Sequence, residues 1–168
     1  MEPELQAELS RRGLDFSLSR TEEPGHAEAL ARELMSWKPD LILVVGGDGT
    51  IHEVANGLLS GLGSPPPMGV VPVGTGNDFQ KMAPASGGLM GTLDGIEAGG
   101  VQFFDVGRVR FGSRNSYFVN LLGVGVDVEI LRRRERYPRL RGLPQYLAAL
   151  VSALFSFRPD SFRVTDRK

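Results

Sequence analysis

Val45-Gly46-Gly47-Asp48-Gly49-Thr50-Ile51-His52-Glu53 is the stretch that decides the fold of this chain. It directly follows a continuous apolar run over residues 41–45, the mark of a strand buried on both faces of a parallel sheet. It opens a helix over residues 50–60. Glycines at a strand-to-helix junction remove side chains, so the backbone can approach a phosphate closely. The helix start aims free N–H groups and the positive end of its dipole at the loop. An Asp in such a loop repels phosphate by itself. Asp48 makes sense if it meets a magnesium-bound water, a ribose hydroxyl or a substrate hydroxyl. The plainer alternative is a glycine turn in which Asp48 caps its own helix, a task Asp does well.

A second loop reinforces the first. Val73-Gly74-Thr75-Gly76-Asn77-Asp78-Phe79 also follows an apolar strand, over residues 68–73, and precedes a short helix. Thr75 and Asn77 offer a hydroxyl and an amide to a phosphate or a purine, and Asp78 is a second carboxylate. Both loops fall at the carboxyl ends of parallel strands, where open α/β sheets bind ligands. A third segment, Phe104-Asp105-Val106-Gly107, sets an Asp among apolar residues. Burying that carboxylate is costly unless it is hydrogen-bonded or bound to metal, and a structural hydrogen bond explains it as well as a functional role does.

Around these loops the pattern alternates. Residues 4–12 read as a helix stopped by Gly13, residues 14–18 as a half-buried strand, and residues 26–37 as a helix with Ala27, Leu30 and Leu34 on one face. A further helix covers residues 88–98. Strand and helix in alternation predict a parallel α/β sheet. After about Gly100 the pattern changes. Residues 101–111 and 116–122 read as antiparallel strands joined by a turn at residues 112–115, residues 145–157 as an apolar helix, and Val164 as the start of another strand. This places residues 1–100 in an α/β domain and residues 101–168 in a β-rich second domain.

Composition narrows the class. At 168 residues the chain can hold one real core. Net charge is −1, so no global field draws nucleic acid. There is no cysteine, which removes disulfides and thiolate metal sites. No segment approaches the ~20 apolar residues of a membrane span, and the acidic start is not a signal peptide. Glycine numbers 22, of which 15 lie between Gly46 and Gly100 at turns between apolar runs, as tight strand-to-helix loops require. The phosphate-loop pattern Gly-x-x-x-x-Gly-Lys-Ser/Thr is absent, Gly74-x-Gly76 lacks the third glycine of a dinucleotide fingerprint, and His26 and His52 are too far apart in sequence to suggest a metal pair.

Residues 132–141 carry six Arg and one Glu, a local charge of +5, so the rest of the chain sums to −6. The helix that follows has Leu147, Leu150, Val151, Leu154 and Phe155. A basic run beside an apolar helix can dock on anionic lipid. The preferred reading is a solvated loop followed by a core-packing helix.

Gly-Gly-Asp-Gly-Thr followed by His-Glu-Val-x-Asn-Gly-Leu, then Pro-x-Gly-Thr-x-Asn-Asp-Phe, then Asp-Val-Gly resembles the diacylglycerol kinase catalytic domain, a family that includes bacterial soluble lipid kinases and the sphingosine and ceramide kinases. The likeness runs from about Leu5 to Pro159. The paired motifs are specific; Gly-Gly-Asp-Gly-Thr alone is shared with NAD kinases. The resemblance implies a fold like the parallel-sheet N-terminal domain of NAD kinase and diacylglycerol kinase, followed by the beginning of a β-rich domain. It implies ATP contacts at Thr21, Gly46, Gly47, Asp48, Gly49, Thr50, Ile51, His52, Glu53, Thr75 and Asn77. It implies magnesium, reached through water, at Asp48, Asp78 and Asp105, and a role for Asp48 at the acceptor hydroxyl. The reaction it implies moves the γ-phosphoryl group of ATP to a lipid hydroxyl, mostly by positioning and charge neutralisation.

Family members open with a strand ending in an Asn-Pro-x-x-Gly loop and continue into a full β-sandwich domain with a late acidic base. This sequence shows neither, so it reads as cut at both ends and as having little or no activity alone. Exposed strand edges at such cuts favour self-association, a homodimer or aggregation. The expectation is a cytoplasmic lipid kinase, or a piece of one, meeting its lipid at the membrane surface without nucleic acid or a transmembrane segment. Two alternatives stand beside it: a non-catalytic remnant that binds nucleotide or lipid, and an NAD kinase, against which the Asn77-Asp78-Phe79 loop counts.

Overall fold

The computed structural model describes residues 1–61, 63–82, 87–140 and 142–155. In chain order these form α1 (Glu2–Arg11), α2 (His26–Leu34) with a 3-10 turn Met35–Trp37, β1 (Ile42–Gly46), α3 (Asp48–Ser60), β2 (Met68–Pro72), α4 (Asp78–Met82), α5 (Gly88–Glu97), β3 (Gly107–Phe111), β4 (Arg114–Phe118), α6 (Val126–Arg134) and α7 (Leu143–Leu154). The chain divides into two compact units, Met1–Asn120 and Leu121–Lys168.

The first unit is built on β1 and β2, which pair in parallel with Val44 opposite Val70 and Gly46 opposite Pro72. Alternation along β1 sorts its side chains to the two faces of the sheet. Ile42 and Val44 enter a cluster with Ala27 and Ala31 of α2, Ile51, Val54 and Leu58 of α3, and Phe79 of α4. Leu43 and Val45 pack against a second cluster, made by Leu5 and Leu9 of α1 and Leu93 of α5. Helices thus cover both faces, as a β-α-β unit demands. Small residues set the spacing of α2 against α3. A Cβ on Gly57 would sit 2.4 Å from the Glu28 carbonyl oxygen and 2.7 Å from the Ala31 Cβ. On the other face, the Thr92 hydroxyl of α5 donates to the Val70 carbonyl of β2 at 2.9 Å, which satisfies a buried polar group on the strand.

Charge ties α1 to α5. The Arg12 guanidinium donates to Glu8 at 2.7 Å, to Asp94 at 2.7 Å and to Glu97 at 2.9 Å. Glu8 is buried and also accepts from Arg11. Hydrogen bonds from Arg11 and Arg12 hold its carboxyl down at about 2.

The hairpin β3–β4 is antiparallel, with Gly107 opposite Phe118. Its turn is tighter than the sequence suggested: Arg114 already belongs to β4, and Gly112 supplies the positive φ of 59° that a two-residue turn needs. The hairpin belongs to the first unit, because the buried Asn56 of α3 bonds the backbone of Tyr117 both ways. Its Nδ2 donates to the Tyr117 carbonyl at 2.8 Å and its Oδ1 accepts from the Tyr117 N–H at 2.8 Å. The parallel pair β1–β2 and the antiparallel hairpin both lie in the compact unit that runs to Asn120.

In the second unit α6 and α7 pack through Ile130, Ala149 and Ala153. Arg133 pairs with Glu129 at 2.7 Å and donates to the carbonyl and the hydroxyl of Ser152 at 2.8 Å. Gln145 donates to the carbonyls of Arg134 and Tyr137 at 3.0 and 3.2 Å.

Four expectations change. Residues 14–18 form no strand; Leu14 packs on the second cluster, but Phe16 and Leu18 are exposed and no ladder partner lies alongside among the described residues. Residues 101–106 are not strand either, and β3 begins at Gly107. The basic run is not a solvated loop from its start, since Arg132, Arg133 and Arg134 are the last turn of α6. Nor is α7 a core helix all round: Leu150 is half-buried, whereas Leu147, Val151, Leu154 and Phe155 are exposed. The strand expected at Val164 lies outside the described residues. Among the described residues no helix is long and apolar enough to cross a membrane.

Two outcomes follow from the packing. Gly57→Ala should lower stability by about 1–3 kcal/mol by overpacking, measured by urea unfolding, and an unchanged midpoint would rule out the close helix contact. Glu8 has a folded value below its ordinary 4.5, so its contribution is present above that value and is lost as pH falls toward 2. Melting temperature should therefore drop less on acidification in Glu8→Gln than in the parent; equal drops would refute the role of the Arg11 and Arg12 bonds.

Candidate functional site

The two glycine loops meet because their strands end side by side. Gly46 and Pro72 are partners in the ladder, and the Val73 N–H donates to the Gly46 carbonyl at 3.1 Å. Beyond that bond the backbones touch. A Cβ on Gly74 would lie 2.7 Å from the Gly47 Cα, and one on Gly47 would lie 3.0 Å from the Gly74 Cα. A Cβ on Gly46 would lie 2.6 Å from the Thr50 Cβ, so the Thr50 side chain folds back over the end of β1.

Asp48 does not cap its own helix. Gly47 is the N-cap of α3 and supplies no side chain; Asp48 is the first helical residue. Its Oδ1 accepts instead from the Phe79 N–H at 3.1 Å, at the start of α4, and so fixes one loop to the other. Its Oδ2 faces Gly76, 3.0 Å from where a Cβ would stand, and Asp78 Oδ2 is 3.8 Å from the same point. Both carboxylates thus flank Gly76. Lys81 pairs with Asp78, and the hydrogen bond to Asp78, with a weaker pull from Asp48, raises its pKa above the ordinary lysine value. Asn77 takes a left-handed φ of 50° and donates through Nδ2 to the Gly74 carbonyl at 2.8 Å, closing the loop on itself. Its buried Oδ1 has no hydrogen-bond partner among the described residues.

On the other side of the α3 start lies a cavity of about 390 Å³ lined by Thr21, Glu22, Glu23, Pro24, Ala27, Gly49, Thr50 and Glu53. A Cβ on Gly49 would meet nothing within 4 Å, so the first turn of α3 is open there. The helix offers amides to this opening, because the first N–H groups of a helix have no partner within it. Ile51 N–H is the first to turn back, bonding the Gly47 carbonyl at 3.1 Å. The cavity is also lined by Glu22 and Glu23 before α2 and by Glu53, one turn along α3 from Gly49. Glu53 Oε2 accepts from the Ala27 N–H at 3.2 Å, which caps α2 from a neighbouring helix. The open first turn of α3 favours an anion by dipole and free amides; the glutamates suit hydroxyl or amino donors.

Of the residues named from sequence, Thr21, Gly49, Thr50 and Glu53 share this cavity, and Gly46, Gly47, Asp48 and Asn77 build the adjoining loop pair. Thr75 is exposed on the second loop. Ile51 is buried in the core with its amide already bonded, so it offers a ligand neither group. His52 is exposed outside the cavity lining, and its carbonyl accepts from Asn56 Nδ2 at 2.8 Å. Asp105 is exposed, so the cost of burying it does not arise; its neighbour Phe104 packs on Phe79 with ring centroids 5.6 Å apart. No group of three His, Cys, Asp or Glu side chains able to hold a metal occurs among the described residues, so Asp48, Asp78 and Asp105 do not form one cluster. Sequence reasoning missed Lys81, Glu22 and Glu23. Lys81 could have been found from its place three residues after Asp78 on a helix.

Residues 2–109 match the diacylglycerol kinase catalytic domain family. A diacylglycerol kinase of Staphylococcus aureus (strain NCTC 8325 / PS 47) is 35% identical over 123 residues, covering 73% of this chain and 38% of that protein. The chain therefore spans well under half the length of this curated relative. Among solved structures, a Bacillus anthracis str. Sterne protein assigned as a diacylglycerol kinase aligns with a TM-score of 0.62 at 29% identity, covering 84% of this chain and 47% of that one. A second diacylglycerol kinase structure from the same strain aligns with a TM-score of 0.51 at 29% identity, covering 77% and 43%.

The loop geometry makes a contrast that thermal melting can check. Gly74→Ala should destabilise by about 1–3 kcal/mol, because backbone stands where its methyl group must go. Gly49→Ala, pointing into open space, should melt with the parent. If Gly74→Ala also melts with the parent, the two loops are not in backbone contact.

Proposed function

This chain belongs to the diacylglycerol kinase catalytic domain family, and on that premise we propose that it forms the nucleotide-binding part of an enzyme that transfers the γ-phosphoryl group of ATP to a lipid hydroxyl at the cytoplasmic face of a membrane. The observation that carries this reading is the cavity at the open first turn of α3, where Thr21, Gly49, Thr50 and Glu53 converge. Of the two enzyme classes that share Gly-Gly-Asp-Gly-Thr, the family match favours the lipid kinase.

The residues fit a triphosphate and its metal in three respects. Gly49 leaves space above the free amides of α3, where phosphate oxygens gain both hydrogen bonds and the helix dipole. Glu22 and Glu23, from the segment before α2, line the same cavity and would accept from ribose hydroxyls or an exocyclic amine. Asp48 and Asp78 stand together at Gly76 and are the groups that would reach magnesium through water. Magnesium, when bound, neutralises the charge on the phosphates and on the group in transit.

The chain's own part is positioning. Asp48 is held by the Phe79 amide through Oδ1, which leaves Oδ2 for a metal-bound water or an acceptor hydroxyl. Lys81 offsets the charge of Asp78. Asn77 and the Gly47–Gly74 contact fix the distance between the two loops.

The test is ATP binding by calorimetry, together with radiolabelled phosphate transfer to diacylglycerol vesicles, made on this chain and on a version as long as its relatives. Asp48→Asn keeps an acceptor for Phe79 and removes only charge, so it should melt with the parent and lose about a hundredfold or more in transfer. Asp48→Ala should lose stability as well. ATP binding without transfer in the longer version would favour a non-catalytic binding module. Unchanged transfer in Asp48→Asn would remove Asp48 from the mechanism.

A further inference from the structure

Half of the cavity lining comes from a segment that no secondary structure supports. Thr21, Glu22, Glu23 and Pro24 stand against Ala27 of α2 and Gly49, Thr50 and Glu53 of α3. Residues 21–25 lie in neither helix nor strand, and all five are exposed. None of them is buried against a neighbour, so apolar packing does not fix their place. On the far side of the segment Arg20 pairs with Glu2 of α1 at 2.6 Å, but the Arg20 side chain is largely exposed and such a pair contributes little.

His26 supplies the hold. It is the first residue of α2. Its N–H donates to the Glu23 carbonyl at 3.1 Å. Its ring Nδ1 accepts from the Glu22 N–H at 3.2 Å. Among the described residues these are the hydrogen bonds that residues 21–24 make, and His26 is the partner in each. The residue between, Gly25, has a left-handed φ of 89°, which turns the chain so that the imidazole reaches back over it. The next amide, Ala27 N–H, is fixed from α3 by Glu53. The start of α2 is thereby held to the helix that lines the cavity, and His26 passes that hold on to the segment.

The ring bond has a proton requirement. A neutral imidazole accepts at one nitrogen, whereas an imidazolium donates at both. The Glu22 N–H has its acceptor only while His26 is neutral with its proton on Nε2. The other charged groups on the elements packed there are Glu22 and Glu23 on the segment, Glu28 on the first turn of α2 and Glu53 on α3. All four are carboxylates, a class that titrates well below the histidine range. We propose that His26 is a positioning residue of the nucleotide site: its neutral ring holds the segment Thr21–Pro24 in place along the cavity, and protonation of the ring releases it. His26 lies outside the lining, so it acts through the segment. Nucleotide affinity then falls with the fraction of chains whose segment is in place. The proposal rests on the nucleotide reading of this cavity.

The experiment is calorimetry of ATP with magnesium on the chain, on His26→Asn and on His26→Phe, at about pH 8 and at about pH 5.5. Asn sets Oδ1 where Nδ1 stands and takes up no proton; Phe keeps a ring and removes the acceptor. At the higher pH the parent and His26→Asn should bind alike, and His26→Phe about fivefold more weakly, as the loss of one hydrogen bond predicts. At the lower pH the parent should fall about fivefold behind His26→Asn. The ring is also read without nucleotide. The chain has two histidines, and the signals lost in His26→Asn identify those of His26. A heteronuclear spectrum of the ring nitrogens should show its neutral form protonated on Nε2. A parent and His26→Asn that keep one affinity ratio at both pH values overturn the proposal, and so does a neutral ring protonated on Nδ1. If His26→Phe does not fold, the comparison of parent with His26→Asn decides alone. A parent that shows the Nε2-protonated ring and binds no ATP at either pH strikes the nucleotide reading instead, and with it the role assigned to His26.

Discussion

The contact between the Gly47 and Gly74 backbones is the constraint on which the site depends. Two loops from adjacent strands approach so closely that a Cβ on Gly74 would collide with the Gly47 backbone and one on Gly47 would press on Gly74. Because they touch, Asp48 on one loop can accept the Phe79 amide on the other. Because the N-cap of α3 is Gly47, no side chain caps the helix, and its first turn stays open toward the cavity. The loop contact thus sets which carboxylate oxygen of Asp48 is engaged and which remains.

The sheet beneath is only two strands wide among the described residues, so its order comes from both faces. One face is closed by apolar packing of α2 and α3 on Ile42 and Val44. The other is closed partly by leucines and partly by the Arg12 network, which holds α1 to α5 where the apolar cluster is small. Exposed ion pairs contribute little individually, but the Arg12 side chain is mostly buried and meets three carboxylates at once.

Much of this was legible in the sequence, because local physics governed it. The apolar run before Gly46, the stop at Gly13 and the second glycine loop each announce their structure within a few residues. What was not legible depended on distant partners. Alternation at Leu14, Phe16 and Leu18 looks like a strand, yet a strand needs a neighbour to exist. The charged tail of α6 hid a helix because its apolar face is nearly confined to Val126 and Ile130. Ile51 sits inside a binding motif but serves the core, and Asn77 spends its amide on its own loop. Motif membership marks where a site lies without telling which members face the ligand.

Asn56 has a consequence for how the first unit opens. Its side chain takes the place of a strand residue, giving and receiving one hydrogen bond with Tyr117. The Tyr117 amide proton is therefore held by a helix side chain and not by a ladder. It exchanges with solvent when the Asn56 side chain lets go of the hairpin. Asp48 lies on the same rod, eight residues and about 12 Å earlier. Protection of that one amide therefore reports whether the hairpin is seated on the helix whose first turn lines the cavity.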